Sequence, residues 1–400
     1  MNRIVIYTSV FPFGTASETF LSTELRVAAD EGYDITLVPV TKVANKREVP
    51  ASVVVDASLC EVSFLVKVFA FLRSFVFLPY VRGKDMKFSG RGFVDTIKYL
   101  YAASLVYTDL CRRADDSTST VFYSYWLSYP PIAFARYKNN HPLCKSSFVS
   151  RGHGSDVYAK ELGVYYPLRD YLMKGLDRVF VVSEFGKHFL CDKYPEYAQK
   201  IRLSRLGVMK PSCLSYKHKQ HVFCVVSCAS VIGLKRIDLL FRSLNAFVKD
   251  TGVKIEWHHF GSGPLFDKIQ ELTREHNPDL CCVLHGTVDN SVILDYYEDN
   301  QVDCLISVSE SEGIPVSMME AISYGIPVLA TDVGGVSEIV TSQTGRLINK
   351  NYTQTEFNNQ LMYVLENVQE YSKTAISFFE ENYNAEKNYK LFYKEISSIF

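Results

Sequence analysis

The chain has 400 residues, 47% of them hydrophobic and 22% charged, with a formal net charge of −1 at pH 7. That length predicts two or three domains with full cores. The composition excludes a disordered or fibrous chain, and the near-neutral charge offers no footprint for nucleic acid. Aromatic residues reach 14%, which points to large cores or to surfaces suited to sugars and lipid headgroups.

In chain order, the first residues read as a strand at 4–7, without the apolar stretch and cleavage site of a secretory signal. A helical pattern at 19–31 and a strand at 35–38 follow. The segment 62–81 is apolar enough to resemble a membrane span, but Lys67 and Arg73 interrupt it. Each would cost roughly 2.5–3.5 kcal/mol near a bilayer centre. Two readings of it stay open. One is a buried amphipathic helix. The other is a helix exposing Phe69, Phe71, Phe75 and Phe77 to a membrane surface, with Arg82, Lys84, Lys87 and Arg91 as basic neighbours. A helix at 97–112 and strands at 120–123, 148–150 and 179–182 complete the first series.

A second series has strands at 222–226, 254–260, 282–285, 304–308 and 328–330, ahead of a helical pattern at 385–400. The polar stretch 210–220, with Pro211 and Ser212, reads as the linker. Alternating strands and helices predict an α/β fold with parallel sheets in two Rossmann-like domains, 1–210 and 211–384. The last segment, 385–400, is expected to pack back on the first domain. Ligands are expected at the carboxyl ends of the strands. Ten cysteines lack any Cys-x-x-Cys pair, and Cys281 adjoins Cys282, so no zinc site is predicted. The cysteines read as reduced thiols of a cytoplasmic protein.

The most informative stretch runs from Glu312 to Glu320. The strand at 304–308 leads into Ser309-Glu310-Ser311-Glu312-Gly313, and Pro315 suits the first position of a helix that stops near Gly325. Free amides and the helix dipole at such a start favour an anion such as a diphosphate. Two carboxylates beside an anion make sense only as acceptors for paired hydroxyls, as on a sugar.

The run 309–335 resembles the nucleotide-sugar site of the retaining glycosyltransferases of family 4, which have the GT-B fold of two Rossmann-like domains facing across a cleft. Their two glutamates, with seven residues between them, match Glu312 and Glu320. The resemblance implies that Glu312 contacts the donor sugar and Glu320 the ribose. Gly313, Ile314, Pro315 and Val316 would hold sugar and diphosphate, and Gly334-Gly335 matches the glycine pair after the next strand. Phe11-Pro-Phe-Gly14 resembles the loop that approaches the donor phosphate, although one glycine stands where the family often has two. Arg151-Gly-His153-Gly-Ser-Asp156 resembles the loop whose histidine points at the transferred sugar. Arg151 and Asp156 are expected at the cleft or as a loop-fixing ion pair. Ser183 either touches ligand or caps a cleft helix.

Lys235 matches the family lysine that clamps the diphosphate, while Ser230 stands where an arginine is usual. Arg236 either helps Lys235 or is a solvated first-turn residue. Gly261 begins the next glycine turn, and Val288 lies in the loop that meets the nucleobase. No Asp-x-Asp occurs in the sequence. A metal-independent reaction is therefore expected, with Lys235 and helix N-termini stabilising the leaving group and no cofactor beyond the nucleotide-sugar substrate. Retention could follow a double displacement on two carboxylates; the resemblance implies front-face attack instead. The implied activity is hexosyl transfer from a nucleoside-diphosphate sugar to a saccharide or lipid-linked saccharide in surface-polysaccharide synthesis, at most peripheral to the inner face of the cytoplasmic membrane. A nucleotide-sugar epimerase or a non-catalytic nucleotide-sugar-binding relative is the alternative. A nicotinamide enzyme is disfavoured, because Phe266 stands where the third glycine after Gly261 and Gly263 belongs.

Overall fold

The computed structural model describes residues 3–14, 18–80, 90–115, 119–158, 166–212 and 222–399. Two compact units divide the chain, Met1–Leu206 with Ala385–Phe400, and Gly207–Asn384. The first holds strands β1 (Arg3–Thr8), β2 (Asp34–Pro39), β3 (Val54–Val55), β4 (Thr120–Ser124), β5 (Ser147–Gly152), β6 (Arg178–Val181) and β7 (Ile201–Leu203). Its helices are α1 (Leu21–Asp30), α2 (Phe64–Ser74), α3 (Gly90–Arg113), α4 (Pro130–Asn140), α5 (Gly154–Val157), α6 (Arg169–Gly175) and α7 (Glu184–Lys193). The second holds β8 (Phe223–Cys228), β9 (Ile255–Phe260), β10 (Leu280–Gly286), β11 (Cys304–Ser307), β12 (Val328–Thr331) and β13 (Gly345–Ile348). Its helices are α8 (Ile237–Thr251), α9 (Phe266–Leu272), α10 (Asn290–Asp299), α11 (Val316–Ser323), α12 (Gln354–Glu366) and α13 (Val368–Asn382). The last helix, α14 (Ala385–Ser397), belongs to the first unit.

Both sheets are parallel throughout. The orders are β3-β2-β1-β4-β5-β6-β7 and β10-β9-β8-β11-β12-β13. Strands covered on both faces read as unbroken apolar runs, and β4 and β5 are buried at every position. Alternation still assigns each residue a face. Val5, Tyr7 and Phe122 join the core that also holds Leu100, Phe134 and Phe148. Ile4, Ile6 and Tyr123 join the core made with Leu21 and Leu25 of α1 and Phe392, Tyr393 and Ile396 of α14. The chain thus returns to the first unit after the second, because one face of the first sheet is closed by its last helix. The second unit packs Trp257, Phe241, Leu244 and Phe357 against its own sheet.

Arg151 departs from its expected place. It lies on β5 beneath the surface, with no exposed area, and its Nη1 donates to Glu24 of α1 at 2.8 Å. Its guanidinium lies over the Phe392 ring of α14, 4.1 Å from the centroid. It makes no pair with Asp156, whose carboxylate accepts from backbone amides instead.

The apolar segment from 62 is not a buried helix. Ser63 caps α2 by accepting from Val66 N. Ala70 and Ser74 are the buried positions of the helix, while Phe64 is 78% exposed and Phe69 65%. Phe71 and Phe75 are exposed as well, whereas Phe77 turns into the core. Among the described residues no helix is long and apolar enough to cross a membrane.

Burial of the Arg151–Glu24 pair gives an asymmetric expectation. Glu24→Ala leaves a guanidinium that cannot discharge, and should cost about 3–5 kcal/mol. Arg151→Met leaves a carboxyl whose pKa burial already raises. That carboxyl can take up a proton, so the loss should be smaller. Urea unfolding of both variants at pH 7 measures the difference.

Candidate functional site

The switch point of the second sheet lies where β8 and β11 adjoin and their crossovers leave in opposite directions. Four loops leave the carboxyl ends of neighbouring strands there and are fastened backbone to backbone. Ala229 N donates to Phe260 O and Val231 N to Ser262 O, both at 3.0 Å. Glu310 N donates to Leu234 O at 2.8 Å, and Gly335 N to Gly313 O at 2.9 Å. Two glycines permit this closeness. A Cβ on Gly261 (φ +138) would fall 1.9 Å from Ala229 O, and one on Gly334 (φ +56) would fall 1.9 Å from Glu312 O. The Glu312 backbone is therefore seated on the glycine pair that follows β12.

Lys235 and Glu312 meet on this platform, Nζ to Oε1 at 2.5 Å, with side chains 21% and 12% exposed. Ser230 is exposed on the same loop as Lys235 and brings no charge. Arg236 is neither a solvated residue nor a free cation. Its backbone is left-handed (φ 49°), and its guanidinium donates to Val308 O at 2.6 Å, Ser309 O at 3.3 Å and Lys350 O at 3.0 Å. It ties α8 to the β11 loop. Gly313, Ile314, Pro315 and Val316 lead into α11, with Pro315 at the N-cap and no side-chain cap; Met318 N donates to Pro315 O at 3.2 Å, which leaves the Val316 and Ser317 amides to face a ligand.

Glu320 lies within α11, 8% exposed, accepting from Asn290 Nδ2 at 3.0 Å. Burial pushes its carboxyl up to about 7, against the opposing pull of the Asn290 hydrogen bond. The Cys228 thiol at the end of β8 feels both the Glu320 and the Lys235 charges, so the two residues share this edge. Val288 is half-buried in the turn after β10, beside Gly286, whose carbonyl accepts from Gly261 N at 2.8 Å.

The residues singled out in the first unit form a second set. The β1 loop uses its amides internally. Gly14 (φ 73°) donates to Asn45 O at 2.8 Å. Ser9, Val10 and Phe11 N–H groups all donate to the Glu18 carboxylate, at 2.7, 3.0 and 2.7 Å. His153 is the N-cap of α5, 9% exposed, with its ring 4.8 Å from Tyr125 and 4.7 Å from Trp126. Neither ring nitrogen has a hydrogen-bond partner among the described residues. Burial, then the Arg151 charge, lowers its pKa to about 3, so the ring is neutral at physiological pH. Asp156 holds the loop, accepting from His153 N at 2.6 Å and Leu127 N at 2.7 Å; burial pushes its carboxyl up to about 6. Ser183 is 4% exposed and caps α7, accepting from Gly186 N at 3.0 Å. Sequence reasoning passed over Glu18, Trp126, Tyr125 and Asn290. The Ser-Glu-Thr that follows Gly14 and Ala16 carried no signal of a carboxylate folded back onto its own loop.

Residues 215–394 match the family model of Glycosyl transferases group 1. The chain is 27% identical over 207 residues to the putative colanic acid biosynthesis glycosyltransferase WcaL of Escherichia coli (strain K12), covering 50% of each. It is 24% identical over 255 residues to Protein CapJ of Staphylococcus aureus, covering 61% of this chain and 56% of that one. The chain therefore spans about half the length of these curated relatives. Among solved structures it resembles the lipopolysaccharide outer core galactosyltransferase WaaB (TM-score 0.67, 18% identity, 100% of both chains). It also resembles WaaG, a glycosyltransferase involved in lipopolysaccharide biosynthesis (TM-score 0.63, 13% identity, 99% of this chain and 100% of that one). At these identities the likeness shows the fold, two Rossmann-like parallel-sheet domains of GT-B type.

Glu320 gives the second unit a pH signature. Its folded pKa of about 7 lies above the ordinary value of 4.5. The associated stability is fully present below about 4.5 and is lost as pH rises through about 7. The loss across that window is on the order of 3 kcal/mol. Glu320→Gln should flatten that decline. Thermal melting between about pH 4.5 and 8.5, without ligand, measures it; equal slopes in both proteins would place the carboxyl in a wetter setting.

Proposed function

We propose that this chain, which carries a Glycosyl transferases group 1 domain over residues 215–394, transfers a sugar with retention from a nucleoside-diphosphate sugar to a saccharide or lipid-linked saccharide of a bacterial surface polysaccharide. The observation that carries the reading is the Lys235–Glu312 pair at the switch point, beside the N-terminus of α11. A departing diphosphate needs a cation and amides, and Lys235 with the α11 amides can supply both. A sugar needs acceptors for its hydroxyls, and Glu312 is one. Here the two satisfy each other, and a donor would have to divide the pair. Glu320 would take the ribose hydroxyls. The resemblance assigns the transferred sugar to His153, whose unpartnered ring nitrogens can donate to or accept from a hydroxyl.

In this reading the acceptor oxygen bonds to the anomeric carbon on the face from which the phosphate oxygen leaves, and that oxygen takes the acceptor proton. Glu312 positions the sugar and forms no bond to it. Lys235 is the cation and no metal takes part; the chain has no Asp-x-Asp. Support for surface polysaccharide comes from WcaL, which is named for colanic acid biosynthesis.

A thermal-shift screen with UDP-, GDP- and ADP-sugars should find one stabilising donor, and acceptor-independent hydrolysis then gives a rate. Glu312→Gln should lower that rate about 100-fold or more. A covalent glycosyl group trapped on Glu312 would replace front-face attack by double displacement. Stabilisation by none of the donors would remove the reading.

The acceptor side has its own support. Residues 62–94 carry six basic side chains and one acidic, Asp85, in a chain of net charge −1. The same stretch exposes Phe64, Leu65, Phe69 and Leu72 of α2. Apolar anchors in a stretch of sequence rich in cations suit an anionic lipid surface on which a lipid-linked acceptor would reside. At low salt the protein should sediment with phosphatidylglycerol vesicles and not with phosphatidylcholine vesicles, and Phe69→Glu should weaken this. Equal partition with both vesicles, or with neither, contradicts membrane contact.

A further inference from the structure

We infer that Glu18 is a positioning residue for His153, acting through Trp126. The inference rests on the transferase reading, in which His153 faces the sugar. Glu18 lies at the switch point of the first sheet, where β1 and β4 adjoin. Its carboxylate is 6% exposed and accepts four hydrogen bonds, two on each oxygen. Ser9 N and the indole Nε1 of Trp126 donate to Oε1, each at 2.7 Å. Val10 N and Phe11 N donate to Oε2, at 3.0 and 2.7 Å. Three successive amides converging on one anion form the kind of nest that elsewhere receives a phosphate. Here the chain fills it with its own side chain. To do so Glu18 takes a left-handed backbone (φ 56°), a conformation a glutamate keeps only when its surroundings hold it there.

Trp126 carries the effect onward. Its carbonyl accepts from Ser124 Oγ at 2.6 Å and Ser150 Oγ at 3.1 Å, so its backbone is fixed. Its indole N–H is held by Glu18. The indole then forms one wall of the pocket that holds the His153 ring, with Tyr125 as the other. Because neither imidazole nitrogen has a hydrogen-bond partner among the described residues, packing against Trp126 and Tyr125 is the main hold on the ring's orientation. Loss of the carboxylate would free the indole and, with it, the imidazole. Misplacement of a catalytic group by about 1 Å can cost on the order of 100-fold in rate.

The test needs two arms. The protein has two tryptophans, and Trp257 donates its indole N–H to Ser227 Oγ in the other unit. Trp257→Phe therefore assigns the Trp126 indole signal in a ¹H–¹⁵N spectrum. Glu18→Gln should move that signal upfield and shift the His153 ring resonances; Trp126→Phe, which leaves Glu18 on its three amides, should also shift His153. Neither measurement needs a donor. In the second arm, both substitutions should lower kcat about tenfold or more while leaving the donor KM within about twofold. Glu18→Gln should add nothing in a His153→Ala background. Unmoved His153 resonances, additive effects, or a raised KM at constant kcat would overturn the assignment, the last because it would place the loop on the donor itself. If Glu18→Gln does not fold, Trp126→Phe decides, and wild-type kcat in that variant overturns the proposal. A wild-type protein that consumes no nucleotide sugar would sink the transferase reading, while the spectra still settle whether Glu18 sets His153.

Discussion

Every strand pair in both units is parallel, and most of the structure follows from that constraint. Parallel strands need crossovers, so both faces of each sheet are covered and all carboxyl-end loops emerge along one edge. Where neighbouring crossovers part, as between β1 and β4 and between β8 and β11, the loops have room to diverge. The two units hold those loops by different means. In the second, backbone meets backbone, and glycines at 261 and 334 remove the side chains that would keep the loops apart. In the first, one carboxylate gathers three amides and an indole. Glycine packing leaves amides and charges free at the surface. A buried carboxylate uses them up, which is why the unanswered polar atoms among the singled-out residues of the first unit are those of His153 and the buried Nε of Arg151 rather than the loop beside Gly14.

The same constraint gives two ion pairs opposite roles. Arg151–Glu24 has no exposed area on either side, and an aromatic ring covers the guanidinium. Such a pair cannot be exchanged for ligand without unfolding its surroundings. Lys235–Glu312 is partly exposed on a platform of loops, so its desolvation is incomplete and each partner can find a substitute in a diphosphate or a hydroxyl. Burial, not chemical identity, separates the structural pair from the one with a functional reading.

Much of the fold was legible in the sequence because parallel strands are apolar at nearly every position and stand out between helical patterns. The strands it missed are three of the four edges: β3 with two residues, β7 with three, and β13, which opens on Gly345. These three are short and flanked on one side only, so they lack the continuous apolar run. The second-unit residues were legible because Gly-Ile-Pro between two glutamates is a local pattern. Arg151, Glu18 and Trp126 were not, since what each does depends on a partner 127, 7 to 9 or 108 residues away. A motif match placed Arg151 by its neighbour His153, yet Arg151 still belongs to β5, while His153 is the N-cap of α5. Arg151 turned into the core, and His153, just past the strand, lies at its open end.

Charge at the second switch point is scarce. Ser230 is neutral, and Arg236 has its guanidinium divided among three carbonyls, so it can approach an anion only by releasing the start of α8. Lys235 is then the one side-chain cation of the matched set that can turn toward a diphosphate, and it begins paired with Glu312. Glu320, with its pKa raised to about 7, carries only about half a negative charge at neutral pH. The edge is thus close to electrically balanced before any ligand arrives. A diphosphate would have to be met mainly by amides at the start of α11, whose dipole is fixed by the fold and needs no reorganisation. That places the demand on the position of the 312–316 backbone, and so on the glycine pair beneath it, more than on the number of cations nearby.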